Sequence, residues 1–552
     1  METRGKKMLE LCKGIPGAII ALANLLARND ASEREIMLKN ARSYLSQVMT
    51  PSYDDLPDES KLFFLYLGHF REDLEIETEK LSHLWTIEGL ISPRECGSKM
   101  TLLDLTQKNL RVLAQKDMIE VQEMKESCRL VGLMGDMCVA KAEESGLLKV
   151  IDLRTEENLS SFSFSKTRRL VIYQGKYDGH GKLQHRNLRS LRIVKSDEQH
   201  QQLDFVWPWF IMSDIKKLHA LRILDFDRMD FPEGKLPEDI FALTLLRYLS
   251  FKGCFIKELP SSISNLTYLQ VLDLRINDLC KIVIPNVLRR MGRLQHLYLP
   301  RTFEMQNGEK LRLDALSELQ TLKNFTPKVC EIRDLFKLAK LRYFYAKVEE
   351  SPEDLKEIID RLKHDSKKWR CSSLEIKNFD CYTEKRHNLF RDLLASGRSP
   401  KLFFEGYIDQ LPPRNQISNE FTMIVLSSTQ LKEDPLATLG KLPKLRRLVL
   451  QDDAFTGTKM VCSSLSFPEL RQLEFSTLFS LVEWRVEDKA MLLLSHIKFE
   501  NCMQLVLQND LSFLDTLQEI KMKKMPEPFT KRLHDKFGKQ GADQTDYWPV
   551  LI

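Results

Sequence analysis

LHALRILDF at residues 218–226, LTLLRYLSF at 243–251 and LTYLQVLDL at 266–274 share one pattern, LxxLxxLxL. The second leucine of each, Leu221, Leu246 and Leu269, recurs after 25 and then 23 residues. Two matching connectors lie between them, Leu236-Pro237-xx-Ile240 and Leu259-Pro260-xx-Ile263. The LxL part alternates, so its two apolar residues share one face of a short strand. One such strand cannot bury that face alone; stacked copies bury it against each other. A proline in each connector excludes amphipathic helices running through these stretches. Cys254 and Asn277 stand where a side chain can hydrogen-bond turn backbone that would otherwise be buried unpaired.

The period and the LxL strands predict a leucine-rich-repeat solenoid, an α/β fold built on a parallel sheet. The register extends outward in both directions. Leu170-x-Ile172 and Leu191-x-Ile193 begin it, and Leu297-x-Leu299, Leu319-xx-Leu322 and Leu341-xx-Phe344 continue it. Leu448-x-Leu450, Leu473-x-Phe475, Ile497-x-Phe499 and Ile520-x-Met522 close it. Between 350 and 440 the pattern is irregular, with strands at Leu374-x-Ile376 and Ile424-x-Leu426 and a helical insertion at 353–364. Repeats thus span 167–532. A polar linker at 149–166 precedes them, and a tail at 533–552 caps the array or dangles.

The totals exclude several classes. Basic and acidic residues nearly balance, 83 against 78, so no global charge calls for nucleic acid. The 11 cysteines are scattered with no CxxC pair, which indicates neither a zinc site nor a disulfide framework and favours a reducing compartment. No apolar run approaches the ~18 residues of a transmembrane helix. Lys6 and Lys7 before the apolar stretch 15–27 imitate a secretory signal, and Asn158 and Asn265 would then be sequons. Pro16-Gly17 interrupts that stretch and suits a helix start instead. No HExxH, GxSxG or GxGxxG occurs, so no catalytic residue and no metal ligand set is expected.

Five motifs in order carry a resemblance. Cys12-Lys13-Gly14-Ile15-Pro16-Gly17-Ala18 is similar to GLPLA, and Ser52-Tyr53-Asp54-Asp55-Leu56-Pro57 matches SYxxLP. Residues 62–73 match CFLYxxxFPED with Leu62 for Cys and Arg71 for Pro, and Leu84-Trp85-Thr86-Ile87-Glu88-Gly89 matches WxxEG. Ser127-Cys128-Arg129-Leu130 leads into the MHD position. Together they resemble the C-terminal part of the nucleotide-binding (NB-ARC) module of plant NLR disease-resistance proteins, of the coiled-coil class. The resemblance implies a helical remnant at 1–50 and a winged helix at 51–148 ahead of the repeats. It implies a cytoplasmic immune receptor whose repeats bind a pathogen effector or a guarded host protein, with a complete NLR as a further partner. The helix at 102–117 has modest charge, so the winged helix is expected to pack within the chain, with no nucleic acid partner. Phe70 and Trp85 read as core.

The family binds ADP or ATP, yet these residues contain no Gly-x4-Gly-Lys-Ser/Thr loop to cradle phosphates. No cofactor is therefore expected. Pro16 corresponds to the family's adenine-contacting proline and is read as vestigial. At the MHD position stand Leu130, Val131 and Gly132, and Val131 cannot donate the hydrogen bond that the family's histidine offers. The chain then reads as a binder, either a fragment of a longer product or a paralogue lacking the loop. The other reading is a repeat-type substrate adaptor of a ubiquitin ligase.

Partner contacts are expected on the concave outward column of the strands. Early in the array it reads Asp225, Ser250, Asp273 and Tyr298, with His296 beside the last. Late in the array it reads Val449, Glu474, Lys498 and Lys521. One face would run from acidic with an aromatic anchor to basic, which can orient a partner. By the same register Leu272 is core and Asp273 faces solvent.

Overall fold

In a computed structural model the described residues are 53–551, apart from 71–73, 93, 95–99, 123–125, 132–133, 154–166, 174–186, 196–214, 365–370, 398, 508–510, 512–513 and 538–547. The remnant at 1–50 with Pro16, and Gly132, lie outside the described residues. The chain divides into two compact units, Met1–Leu294 with Pro300–Glu304, and Gln295–Leu299 with Met305–Ile552.

The first unit opens with α1 (Asp58–Leu67), β1 (Ile76–Glu77), α2 (Thr78–Glu88), α3 (Leu102–Ala114), β2 (Ile119–Gln122) and β3 (Ser127–Leu130). The strands form an antiparallel sheet in the order β1-β3-β2, the succession of a winged helix. α1 opens with Asp58-Glu59-Ser60-Lys61 and is apolar from Leu62 on, and Phe63, Phe64, Tyr66 and Leu67 are buried. Trp85 of α2 is also buried, its ring 4.6 Å from that of Phe63. α3 starts at a reciprocal capping box between Thr101 and Asp104, worth about 1 kcal/mol. α2 stops at Gly89, where φ is +80° and the N–H bonds back to Thr86; a side chain there would be strained. Helix α4 (Met134–Glu144) follows, and its Cys138 thiol donates to the Phe64 carbonyl at 2.8 Å.

Six parallel strands follow in the first unit: β4 (Lys149–Asp152), β5 (Arg169–Tyr173), β6 (Ser190–Val194), β7 (Ile223–Asp227), β8 (Tyr248–Ser250) and β9 (Val271–Asp273). Leu170, Leu191, Leu224, Leu249 and Leu272 stand in one buried row. The expected linker at 149–166 therefore starts too early. Residues 149–152 form a strand, because pairing with β5 satisfies backbone that a linker would leave to water. Pro237 and Pro260 each precede a single 3₁₀ turn that buries Ile240 or Ile263. The Cys254 sulfur meets the turn backbone as expected, accepting from the Met229 N–H at 3.3 Å.

In the second unit, parallel strands run from His296–Tyr298 through Thr321–Phe325, Tyr343–Glu349, Cys371–Lys377, Lys401–Glu405, Met423–Ser427, Arg447–Gln451, Gln472–Ser476 and His496–Glu500 to Glu519–Lys523. The irregular region keeps the ladder. It reads as irregular because two connectors are full helices, Pro352–His364 and Glu384–Ser396, which lengthen the repeat. The tail carries a last strand, Trp548–Leu551, antiparallel to Glu519–Lys523. Asn324 has φ +59° and donates from Nδ2 to the Leu299 carbonyl at 2.7 Å. Around it Leu322 pairs with Phe344 but Phe325 with Ala346, so the register slips.

Candidate functional site

The outward face of the first unit's sheet is occupied by the winged-helix part. Glu77, Lys80, Leu84 and Glu88 recur every three or four residues and make one stripe of the β1–α2 segment. Lys80 Nζ lies 2.7 Å from Asp225 Oδ2 on β7. Arg192 of β6 stands 3.4 Å from the same oxygen and 2.6 Å from Asp227. The Arg192 guanidinium also stacks 4.2 Å from the Phe70 ring, a placement that suits a weakly hydrated cation. Glu77 pairs with Lys252 and, at 3.0 Å, with Arg275, which holds Asp273 at 2.6 Å. Glu88 binds Arg169 at 2.7 Å.

This network governs titration. Burial by itself would raise the Asp225 carboxyl, but Lys80 and Arg192 outweigh it and hold the group below the usual carboxylate range. Glu77 behaves alike: burial is overcome by Arg275 and Lys252, and its carboxyl lies well below that range. His69 is buried with Nδ1 2.6 Å from the Tyr66 carbonyl. Burial pushes its pKa down to about 3, so the ring is neutral at pH 7 and is a core group.

The structure corrects the expected column. Asp225 is 1% exposed and Asp273 2%, both engaged within the chain, so neither is open to a partner. Tyr298 is 2% exposed, with Lys323 Nζ 5.2 Å from its ring and 4.6 Å from that of Tyr345. It is no exposed anchor. His296 Nδ1 meets Thr321 Oγ1 at 2.9 Å. Leu130 is buried at the end of β3, and the Val131 N–H donates to the Met118 carbonyl, so both serve the sheet.

The late column changes too. Lys498 pairs with Glu474 at 2.7 Å and Glu500 at 2.9 Å, and Lys521 with Glu519 at 3.0 Å. Burial would lower the Lys498 pKa, yet the two glutamates raise it well above its ordinary value. The expected basic end is thus largely neutralised by neighbours. The strand pairing also separates the columns. Tyr345 aligns with Ser373, Lys401, Met423, Arg447, Gln472, His496 and Glu519. Glu474, Lys498 and Lys521 belong to the next row, with Lys347, Glu375, Phe403, Val425 and Val449. Partly exposed aromatic and apolar side chains here are Tyr343, Tyr345, Phe403 and Met423, over a floor of Val425 and Val449, with Ser373, Lys401, Arg447 and Gln472 partly exposed beside them. Half-buried aromatics ringed by paired charges are the make-up of protein-binding centres. Among the described residues there is no group of three or more His, Cys, Asp or Glu placed to hold a metal ion, and no helix long and apolar enough to cross a membrane.

Residues 187–536 match the family model of a leucine-rich repeat region. The chain belongs to the leucine-rich-repeat family. This leucine-rich-repeat chain is 30% identical to probable disease resistance RPP8-like protein 2 of Arabidopsis thaliana, over 96% of its own length and 60% of that protein's. Disease resistance protein RPP8 of the same plant is 31% identical over 97% of this chain and 59% of its own. Probable disease resistance protein RF9 is 31% identical over 91% and 49%. The chain spans about half to three fifths of the length of these curated relatives. The disease-resistance resemblance read from the motifs therefore stands, since these homologues cover nine tenths or more of the repeat protein. A leucine-rich-repeat protein of Leptospira interrogans is similar in structure, with 17% identity and a TM-score of 0.38 over 63% of this chain and 88% of its own.

Sequence reasoning missed Glu77, Lys80, Arg192, Lys252 and Arg275 in this leucine-rich-repeat protein. A signal existed: charges at helical spacing in 77–88 are complementary to the strand residues they meet. Without the fold, nothing pairs them with residues so far along the chain.

Proposed function

We propose that the chain works by binding protein, as the winged-helix and repeat portion of a disease-resistance receptor in the cytoplasm. The winged-helix part stays docked on the first unit's sheet. The second unit's outward face receives a pathogen effector or the host protein that such an effector alters. One observation carries this reading: α2 and Phe70 fill the first unit's face, whereas Tyr345, Phe403 and Met423 keep part of their surface open in the second. The relatives' names support the defence role.

Changing Tyr345, Phe403 and Met423 together to Ala, in protein that still folds by circular dichroism, should weaken a partner recovered from plant extract by at least about tenfold. The pair Lys498→Ala and Lys521→Ala should change affinity little, because those cations already have carboxylates beside them. Unchanged binding by the aromatic variant would move recognition elsewhere.

The chain acts neither as a catalyst nor as a nucleotide switch in this proposal. Calorimetry of the isolated chain with micromolar ADP or ATP is expected to give no binding heat, since its sequence holds no Gly-x4-Gly-Lys-Ser/Thr loop to receive the phosphates. Saturable heat at those concentrations would refute it.

A further inference from the structure

The residue that starts each rung of the first unit's sheet is an arginine on four successive rungs. Arg189 N–H donates to the Arg168 carbonyl, Arg222 N–H to that of Arg189, and Arg247 N–H to that of Arg222. Adjacent rungs lie ~4.8 Å apart, so four guanidinium-bearing side chains line up over roughly 14 Å. Arg168 is exposed and the other three are partly exposed. Among the described residues, none of the four has a carboxylate in ion-pair range. Like charges on adjacent rungs repel, so the row is unfavourable as it stands.

The second unit shows what the fold does elsewhere at this edge. Two residues before the rung start it places carboxylates, and each meets a cation of an adjacent rung. Glu318 pairs with Lys340 at 2.6 Å, Glu420 with Lys444 at 2.9 Å and Glu469 with Arg446 at 3.2 Å. In the first unit the same positions hold Asn187, Ala220, Leu245 and Tyr268. Leu245 is 48% exposed and Tyr268 41% exposed, with the Arg293 guanidinium 4.2 Å from the tyrosine ring. The edge therefore combines uncompensated positive charge with a flanking apolar ridge.

We propose that this edge is a second docking surface, separate from the second unit's face, and that it takes an acidic polypeptide segment carrying apolar side chains. Carboxylates of the segment fork onto Arg189, Arg222 and Arg247, and its apolar residues lie on Leu245 and Tyr268. The apolar ridge is what favours such a segment over a phosphate polymer, which would use the arginines alone. Association is faster at low salt, because the charges are at the surface.

The test uses the full chain and fluorescence anisotropy with a labelled short peptide alternating glutamate and leucine. The parent binds it. The triple variant Arg189→Gln, Arg222→Gln, Arg247→Gln loses at least about tenfold in affinity. Its melting temperature stays level or rises, since repulsion has been removed. Lys340→Gln with Lys444→Gln, at the compensated edge, leaves affinity unchanged. A peptide alternating glutamate and serine, or Leu245→Ser with Tyr268→Ser, binds more weakly. Equal binding by parent and triple variant overturns the proposal. So does a glutamate–serine peptide held as tightly as the glutamate–leucine one, or an oligothymidylate strand held more tightly than either.

Discussion

Leu272→Asp is expected to cost the first unit about 4 kcal/mol or more, enough to unfold many domains. Leu272 is buried in the row of Leu170, Leu191, Leu224 and Leu249, and no cation in that row could pair with a carboxylate. The new group must either lose its charge or stay unpaired. Thermal unfolding followed by far-ultraviolet circular dichroism reads the outcome, and a melting temperature equal to the parent's would show the strand register to be wrong. The neighbouring Asp273 makes a finer comparison. Its strand position alone suggests a tolerant surface site. Its carboxylate, however, accepts from the Arg275 backbone N–H at 3.1 Å and from Nε at 2.9 Å, and it is buried. Asp273→Ala is therefore expected to cost about 1–3 kcal/mol.

Asp225→Ala is expected to cost about 3–5 kcal/mol, because it leaves Lys80 buried with no opposite charge and Arg192 with Asp227 alone. Hydrogen exchange at α2 and β7 should rise first, as the loss falls on the docking of one upon the other. Replacing Lys80→Met and Asp225→Leu together should recover much of the stability, since a matched apolar pair carries no desolvation cost. A single variant as stable as the parent would mean that the ion pair contributes nothing to docking. The sign of the pH dependence follows from the carboxyls. In the folded chain Asp225 and Glu77 titrate below their ordinary range, so the folded form binds fewer protons than the unfolded one. Their contribution is complete above about pH 5 and is lost as pH falls through the folded values. Asp225→Ala should accordingly flatten the acid limb of the stability curve.

The period of 218–274, the row of buried leucines, the proline-led turns and the winged-helix motifs were all legible from residues near one another in sequence. They rest on local rules: alternation in a strand, the missing N–H of proline, and motif order. Those rules place Leu272 inside and Asp273 outside the strand's apolar face. They do not say what lies over the outer face. That was decided by contacts such as Glu77 with Lys252 and Arg275, which are 175 and 198 residues apart in the chain. The same holds for the strand register of the second unit, where pairing sets Tyr345 in line with Arg447, Gln472 and His496 and sets Glu474 and Lys498 in line with Lys347. Alternation determines on which side of its strand a side chain stands. Whether that side meets water, a helix or a neighbouring charge depends on surfaces that only the folded chain brings together.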